Sequence, residues 1–414
     1  MPRSVELFAG GGGMALGTYI AGVQHEQLVE WDPRACAVLK ANAERDPQLW
    51  KPENIRQMDV RTWLKECGEL GLEDIDLIAG GPPCQPFSIG GSNGGHADKR
   101  NMFPAAIDAV RRLRPKTFIF ENVPGLLRAG SLPYYEYIQD QLRKPEVTSR
   151  EGEDWHEHQA RIERAGETGL TYRVYRQPLN AADLGVPQLR QRVFLVGIRA
   201  DIEGASDRED IIPTYGEDAL LHAQWVSGDY WEEHDVPRPV MPERLQARVR
   251  KLSTLDGLGD SRSRWRTVRD ATREFPLPED YKETPGVLNH WGIPGARTYP
   301  GHTGSWIDAP AKTIKAGVHG VCGGEAMIRF HDDSLRYLTI RESAAIQSFP
   351  AWYEFPGTRT AMMRAIGNAV AVDVATTIEK HLRKTAGLRA DPEGGLPGPG
   401  AGRSQSSADF VQER

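Results

Sequence analysis

The sequence predicts an α/β fold built on an open, Rossmann-like sheet, with a second, smaller domain toward its C-terminal side. Three observations carry this reading. Residues 4–8 read as a short strand that runs through the glycine loop Ala9-Gly10-Gly11-Gly12-Gly13 into helix-like spacing over 14–21. Ile75-Asp76-Leu77-Ile78-Ala79 is an apolar run closed by Gly80-Gly81-Pro82-Pro83, as a buried strand ends. Residues 117–120 form another such run, closed by Glu121-Asn122-Val123. Strands that alternate with helices make a parallel sheet, and such sheets place their chemistry beyond the C-terminal ends of the strands.

Composition frames the function. A chain of 414 residues is long enough for two or three domains. Hydrophobic content of 39% and charged content of 26% are those of a soluble globular protein. No run of 18 apolar residues occurs, so no membrane span is expected. The first residues, Met1-Pro2-Arg3-Ser4-Val5, lead directly into a strand pattern and do not read as a signal peptide. Cys36, Cys67, Cys84 and Cys322 show neither a CxxC pair nor metal-ligand spacing, which fits a reducing cytoplasmic compartment and no metal. With a formal charge of −6, any nucleic-acid contact must come from a local basic face.

Taken in order, Gly10-x-Gly12-x-x-Ala15 loosely fits the dinucleotide fingerprint, and Glu30 lies 20 residues beyond Gly10, where a ribose-binding acid belongs. Glycines let a ligand approach the backbone, and the helix start behind them offers free N–H groups. This indicates a nucleoside cofactor, and a nicotinamide dinucleotide fits as well as any other. A helix over 33–43 and a strand over 54–60 follow, and Asp59 is placed to cap a helix over 61–70. Cys84, at the mouth of the 75–79 strand, is a candidate nucleophile through its thiolate. The glycine-rich stretch 89–101 reads as a lid beside it. A helix is expected over 103–114. Glu121, ending a buried strand, is a candidate proton holder.

The second half is less regular. Residues 141–168 are highly charged and read as a partly helical surface insertion. Spacing of two puts Gln188, Arg190 and Arg192 on one face of a strand running into Val193-Phe194-Leu195-Val196, a candidate charge-recognition surface. Residues 201–329 are rich in Gly, Pro, Trp and His, with Arg244, Arg248, Arg250 and Lys251 on a helix-like stretch. Thr339-Ile340-Arg341-Glu342 is a capping box. Asn368 reads as the cap of a helix carrying Val370, Val374, Ile378 and Leu382. From Gly387 the chain is Gly-, Pro- and Ser-rich, a composition of disorder.

Pro83-Cys84-Gln85 resembles the catalytic motif of the DNA cytosine-5 methyltransferases. Phe8-Ala9-Gly10-Gly11-Gly12-Gly13, Glu30-Trp31-Asp32, Glu121-Asn122-Val123, Gln188-Leu189-Arg190-Gln191-Arg192 and Gly367-Asn368-Ala369-Val370 resemble that family's other motifs, in its order. The resemblance covers residues 4–200 and 330–385. It implies a class I methyltransferase sheet over 1–200, a target-recognition domain over 201–335, a hinge helix and returning helix over 336–385, and a disordered tail over 386–414.

It further implies S-adenosylmethionine as cofactor, contacted by Phe8, Ala9, Gly10, Gly12, Gly13, Glu30, Trp31, Asp59, Val60, Pro83 and Asn368. Cys84 is the implied nucleophile, Glu121 the acid on the cytosine ring, Arg192 the contact to the cytosine carbonyl, and Arg190 a shaper of the same pocket. The partner implied is double-stranded DNA, with a companion restriction endonuclease, and the expected state is a cytoplasmic monomer. A tRNA cytosine-5 methyltransferase is a rival, against which the long 201–329 segment counts. A nonenzymatic S-adenosylmethionine-binding module is another, against which Cys84 and Glu121 count.

Overall fold

The computed structural model describes residues 1–83, 101–166, 169–203, 210–254, 261–300, 302–316 and 326–388. Expectations that fall on Cys84, on the 89–100 stretch, on Cys322 and on the tail from 389 lie outside the described residues.

Eight strands of the first half, β1 (Arg3–Leu7), β2 (Gln24–Glu30), β3 (Ile55–Gln57), β4 (Leu77–Gly80), β5 (Thr117–Asn122), β6 (Tyr172–Asn180), β7 (Gln188–Leu189) and β8 (Gln191–Arg199), contribute all but β7 to one sheet. Its order is β3-β2-β1-β4-β5-β8-β6, parallel from β3 to β5, with β8 antiparallel to both of its neighbours. The order reverses between β1 and β4, the switch point at which open sheets form their ligand crevice. Period two explains the two covered faces. Ile78, Phe118, Phe120, Val193 and Leu195 point into one core. Leu77, Ala79, Ile119, Phe194 and Val196 point into another.

The helices of this half are α1 (Gly13–Ile20), α2 (Pro33–Arg45), α3 (Val60–Glu66), α4 (Phe103–Leu113), α5 (Leu132–Arg143) and α6 (Trp155–Arg164). The charged 141–168 segment is more integrated than a surface insertion. Its α6 buries His158, which bonds the Tyr137 hydroxyl at 2.7 Å and the Val147 carbonyl at 2.7 Å. Strand β3 is shorter than its sequence suggests because Asp59 turns out to cap α3, accepting from Arg61 N at 2.8 Å.

Later come α7 (Glu217–His222), α8 (Asp229–Glu233), α9 (Glu243–Ser253) and α10 (Val268–Thr272), with a small core of Leu220, Leu221, Trp225, Tyr230, Trp231 and Val249. The two-residue strand Ala311–Lys312 pairs in parallel with β7, the short strand outside the main sheet that leads into β8. Helix α11 (Ile340–Ile346) starts at the predicted capping box, with Thr339 and Glu342 bonded reciprocally. Helices α12 (Arg359–Asn368) and α13 (Val372–Thr385) return to the first half, where α13 packs along α1. Asn368 does not cap α13. It is the last residue of α12, and Ala371 in extended conformation starts α13 without a side-chain cap bond.

Candidate active site

The glycine loop leaves β1 at the switch point. Phe8 (φ 58°), Gly10 (φ 54°) and Gly12 (φ 80°) all lie in the left-handed region. For an aromatic residue this is a true outlier, of the kind that gathers at ligand sites. The four glycines are not equivalent. A Cβ on Gly10 would meet nothing nearer than the Phe8 carbonyl at 3.9 Å, so its open side faces away from the protein. A Cβ on Gly12 would fall 2.4 Å from the Tyr353 hydroxyl, and one on Gly13 would fall 2.3 Å from the Val370 carbonyl. Those two positions are glycine so that protein can approach.

Glu30 closes β2 beside this loop and is almost fully buried. Its carboxylate accepts from Gly10 N, Trp31 N and Asp32 N, each at 2.8 Å. Burial pushes its carboxyl up, and the three N–H groups act against that. A carboxylate has about four acceptor positions, so one stays open. Trp31 is 73% exposed directly after it. Asp59 is engaged by Arg61, whose Nη2 lies 2.8 Å from Oδ2 and which holds the carboxyl below the usual carboxylate range. Val60, next to it, is buried in the core.

The second cluster sits at the ends of β4, β5 and β8. Because β8 runs antiparallel to β5 and pairs Val193 with Asn122, Arg192 arrives at the C-terminal end of β5. There Arg192 Nε lies 2.7 Å from Glu121 Oε1, with both side chains largely shielded from solvent. Asn122 Nδ2 donates to the Pro82 carbonyl at 2.9 Å, and Met102 N donates to the Pro83 carbonyl at 3.1 Å. The chain on either side of 84–100 is thus fixed beside the Glu121–Arg192 pair, and Cys84 is the next residue after Pro83. Such a pair offers a flat heterocycle an acceptor and a donor side by side.

A family profile described as C-5 cytosine-specific DNA methylase matches residues 3–146 and 147–384. The chain belongs to that family. The methylase is 29% identical to the Type II methyltransferase M.NgoMIV of Neisseria gonorrhoeae over 382 residues, covering 92% of this chain and 97% of that protein. It is 31% identical to Type II methyltransferase M.PspPI of a Psychrobacter species over 387 residues, covering 91% and 78%. Among solved structures it resembles a prophage-encoded DNA modification methyltransferase of E. coli, with TM-score 0.57, 19% identity and coverage of 94% and 100%. The S. pombe Dnmt2 methyltransferase gives TM-score 0.55 at 16% identity over 93% of this chain, a likeness of fold. The methylase is an S-adenosylmethionine-dependent DNA cytosine-5 methyltransferase.

Several residues singled out by sequence sit elsewhere in the methylase. Gln188, Arg190 and Arg192 do share a face, but it is an interior one. Arg190, 3% exposed, donates to the carbonyls of Ile314 (3.1 Å), Gly367 (2.9 Å) and Ala369 (2.9 Å). Burial, with Arg192 nearby, lowers its pKa to about 9. Its guanidinium is therefore a brace that ties the β7–β8 junction to Ile314 and to the α12–α13 turn. A Cβ on Gly367 would lie 2.5 Å from Ala316 N, so that motif glycine admits the same segment. Arg248 is held by Glu217 (2.8 Å) and Asp218 (2.6 Å), which already neutralise it. Glu233, His234 and Asp270 have ligand-like spacing, but Arg264 bridges Glu233 and Asp270 and fills that role. Sequence reasoning gave Asn122 no role of its own, although the Glu-Asn-Val motif contains it. It missed Tyr353, whose hydroxyl donates to the Gly11 carbonyl at 2.9 Å from 342 residues away, with no local signal.

Proposed function

We propose that the methylase acts on a cytosine flipped out of duplex DNA, through a covalent adduct with Cys84. The observation that carries this is the Arg192–Glu121 pair at 2.7 Å, set beside the backbone that leads into Cys84. Flipping costs roughly a few kcal/mol and exposes the ring edge. Glu121 takes the ring nitrogen and exocyclic amine, and Arg192 the carbonyl oxygen. The Cys84 thiolate adds to C6, and the ring electrons move toward C5 and the ring nitrogen, where Glu121 supplies the proton. Loss of the C5 proton after methylation reforms the 5,6 double bond and expels the thiolate. Two easier steps replace one hard one. The other described cysteines are poor candidates, since burial pushes the Cys36 thiol up to about 12 and raises that of Cys67.

S-adenosylmethionine supplies an electrophilic sulfonium methyl group when bound. The residues present fit it. Glu30 keeps one acceptor position for a ribose hydroxyl, Trp31 offers an exposed ring for the adenine, and Gly10 leaves room for the ligand against the loop. Asp59 serves the adenine amine with an oxygen not fully used by Arg61. The part with its own small core, within 201–335, supplies sequence choice. The names of the relatives, Type II methyltransferases, support a protective role beside a restriction endonuclease.

Methylome sequencing of a host expressing the chain gives the target, and duplex DNA carrying 5-fluorocytosine at that target tests the chemistry. Fluorine does not leave as a proton does, so elimination stalls and the DNA stays attached to Cys84. Peptide mapping of the adduct to Cys36, Cys67 or Cys322 overturns the mechanism.

A further inference from the structure

The glycine loop has no side chain larger than a methyl group between Ala9 and Gly13, yet it holds three left-handed residues within Phe8–Gly12. Its shape must therefore be imposed from outside. Glu30 holds one peptide through Gly10 N. The Gly11–Gly12 peptide is held by Tyr353, a fully buried phenol whose hydroxyl donates to the Gly11 carbonyl at 2.9 Å. Gly12 has no Cβ to block that hydroxyl, which would otherwise sit 2.4 Å away.

Tyr353 is itself rigidly placed. Phe349 and Phe355 pack on its ring at centroid distances of 4.9 and 5.4 Å. Its own carbonyl accepts from Arg341 Nη2 at 2.6 Å, and the same guanidinium donates to the Pro350 and Leu288 carbonyls at 3.0 Å each. Directly after Tyr353, Asn42 bonds the Glu354 backbone twice and Asn289 bonds the Phe355 backbone twice. Each amide side chain presents both a donor and an acceptor, so the neighbours of Tyr353 are fixed in orientation as well as place. All this ordering converges on one hydroxyl and one loop carbonyl.

We propose that Tyr353 is a positioning residue for the cofactor, its hydroxyl setting the orientation of the Gly11–Gly12 peptide in the loop that receives S-adenosylmethionine. The proposal rests on the reading that this loop is the cofactor site. By the same contacts, the loop is joined through Arg341 to the Leu288 and Asn289 carbonyls, and through Phe355 to the Asn289 side chain, of the 201–335 part.

The test is Tyr353→Phe, which keeps the ring and removes the hydroxyl. Calorimetry with S-adenosylhomocysteine on the full chain is expected to show affinity falling roughly ten-fold, the scale of one buried carbonyl left unpaired. DNA affinity, and turnover at saturating S-adenosylmethionine, stay within about two-fold, since the hydroxyl touches neither the Glu121–Arg192 pair nor any base-facing group. Hydrogen exchange in the 8–14 segment of the free protein rises, while that of β4 and β5 does not. Unchanged S-adenosylhomocysteine affinity overturns the proposal, as does an equal loss of cofactor and DNA affinity, which marks general destabilisation. Glu30→Gln separates the two readings. If it too leaves binding intact, the cofactor assignment of the loop is at fault. If it weakens binding and Tyr353→Phe does not, only the role of Tyr353 falls.

Discussion

Replacing Arg190 by methionine distinguishes a structural brace from a catalytic group. The parent guanidinium satisfies three buried carbonyls, those of Ile314, Gly367 and Ala369. The Ala369 carbonyl keeps a donor in Gln347 Nε2 at 3.2 Å, so Arg190→Met strips the Arg190 bond from Ile314 and Gly367 without that compensation. Each carbonyl left unpaired costs about 1–3 kcal/mol. Against this, methionine relieves the burial of a cation whose pKa is already lowered to about 9. A net loss of about 3 kcal/mol follows, which lowers Tm by roughly 4 °C for a 414-residue chain unfolding as one unit. Arg190→Lys should fare little better, because one ammonium cannot span three acceptors as a planar fork does. Differential scanning calorimetry gives the stability, and single-turnover methylation well below the variant's Tm gives the chemistry. The expected single-turnover rate lies within about five-fold of the parent, since the guanidinium faces the α12–α13 turn. An unchanged Tm with a hundred-fold slower methyl transfer would refute this reasoning and return Arg190 to the base pocket.

Glu30→Gln puts an amide N–H2 where at least one backbone N–H needs an acceptor, so S-adenosylhomocysteine affinity should fall by about 1.5–3 kcal/mol, measured by calorimetry. Unaltered affinity would remove Glu30 from the cofactor site. His25 is buried, bonds Ser4 Oγ and the Ala15 carbonyl at 2.8 Å each, and has its pKa lowered by burial from 6.5 to about 4. A depressed histidine stabilises the fold above its unfolded pKa, and the contribution is lost as pH falls from 6.5 through 4. Urea titrations should therefore show about 2 kcal/mol less stability at about pH 5 than at pH 7.5, and His25→Gln should remove that difference. An equal pH dependence in the variant would show that other groups are responsible.

What the sequence determined by itself is what short-range pattern encodes. Period two divides Leu77 and Ala79 from Ile78, and Phe118 and Phe120 from Ile119, so the buried strands and their two faces are legible from residue types alone. The Thr339–Glu342 box marks the start of α11 because both partners of each bond lie within four residues. The ends of β4 and β5, where Gly80 and Glu121 stand, are readable for the same reason. That β8 lies beside β5 and brings Arg192 onto Glu121 is a fact of strand order, and periodicity carries no information about which strands are neighbours. Tertiary structure also decided why particular residues are what they are. Gly12 makes way for a hydroxyl that reaches the Gly11 carbonyl from 342 residues away in sequence, and Arg190 serves a carbonyl 179 residues away. Arg248, which the sequence places on a helix-like stretch, is neutralised by Glu217 and Asp218 two helices back. These long-range hydrogen bonds and ion pairs are set by which groups the folded chain brings together, and no local window of sequence contains both of their partners.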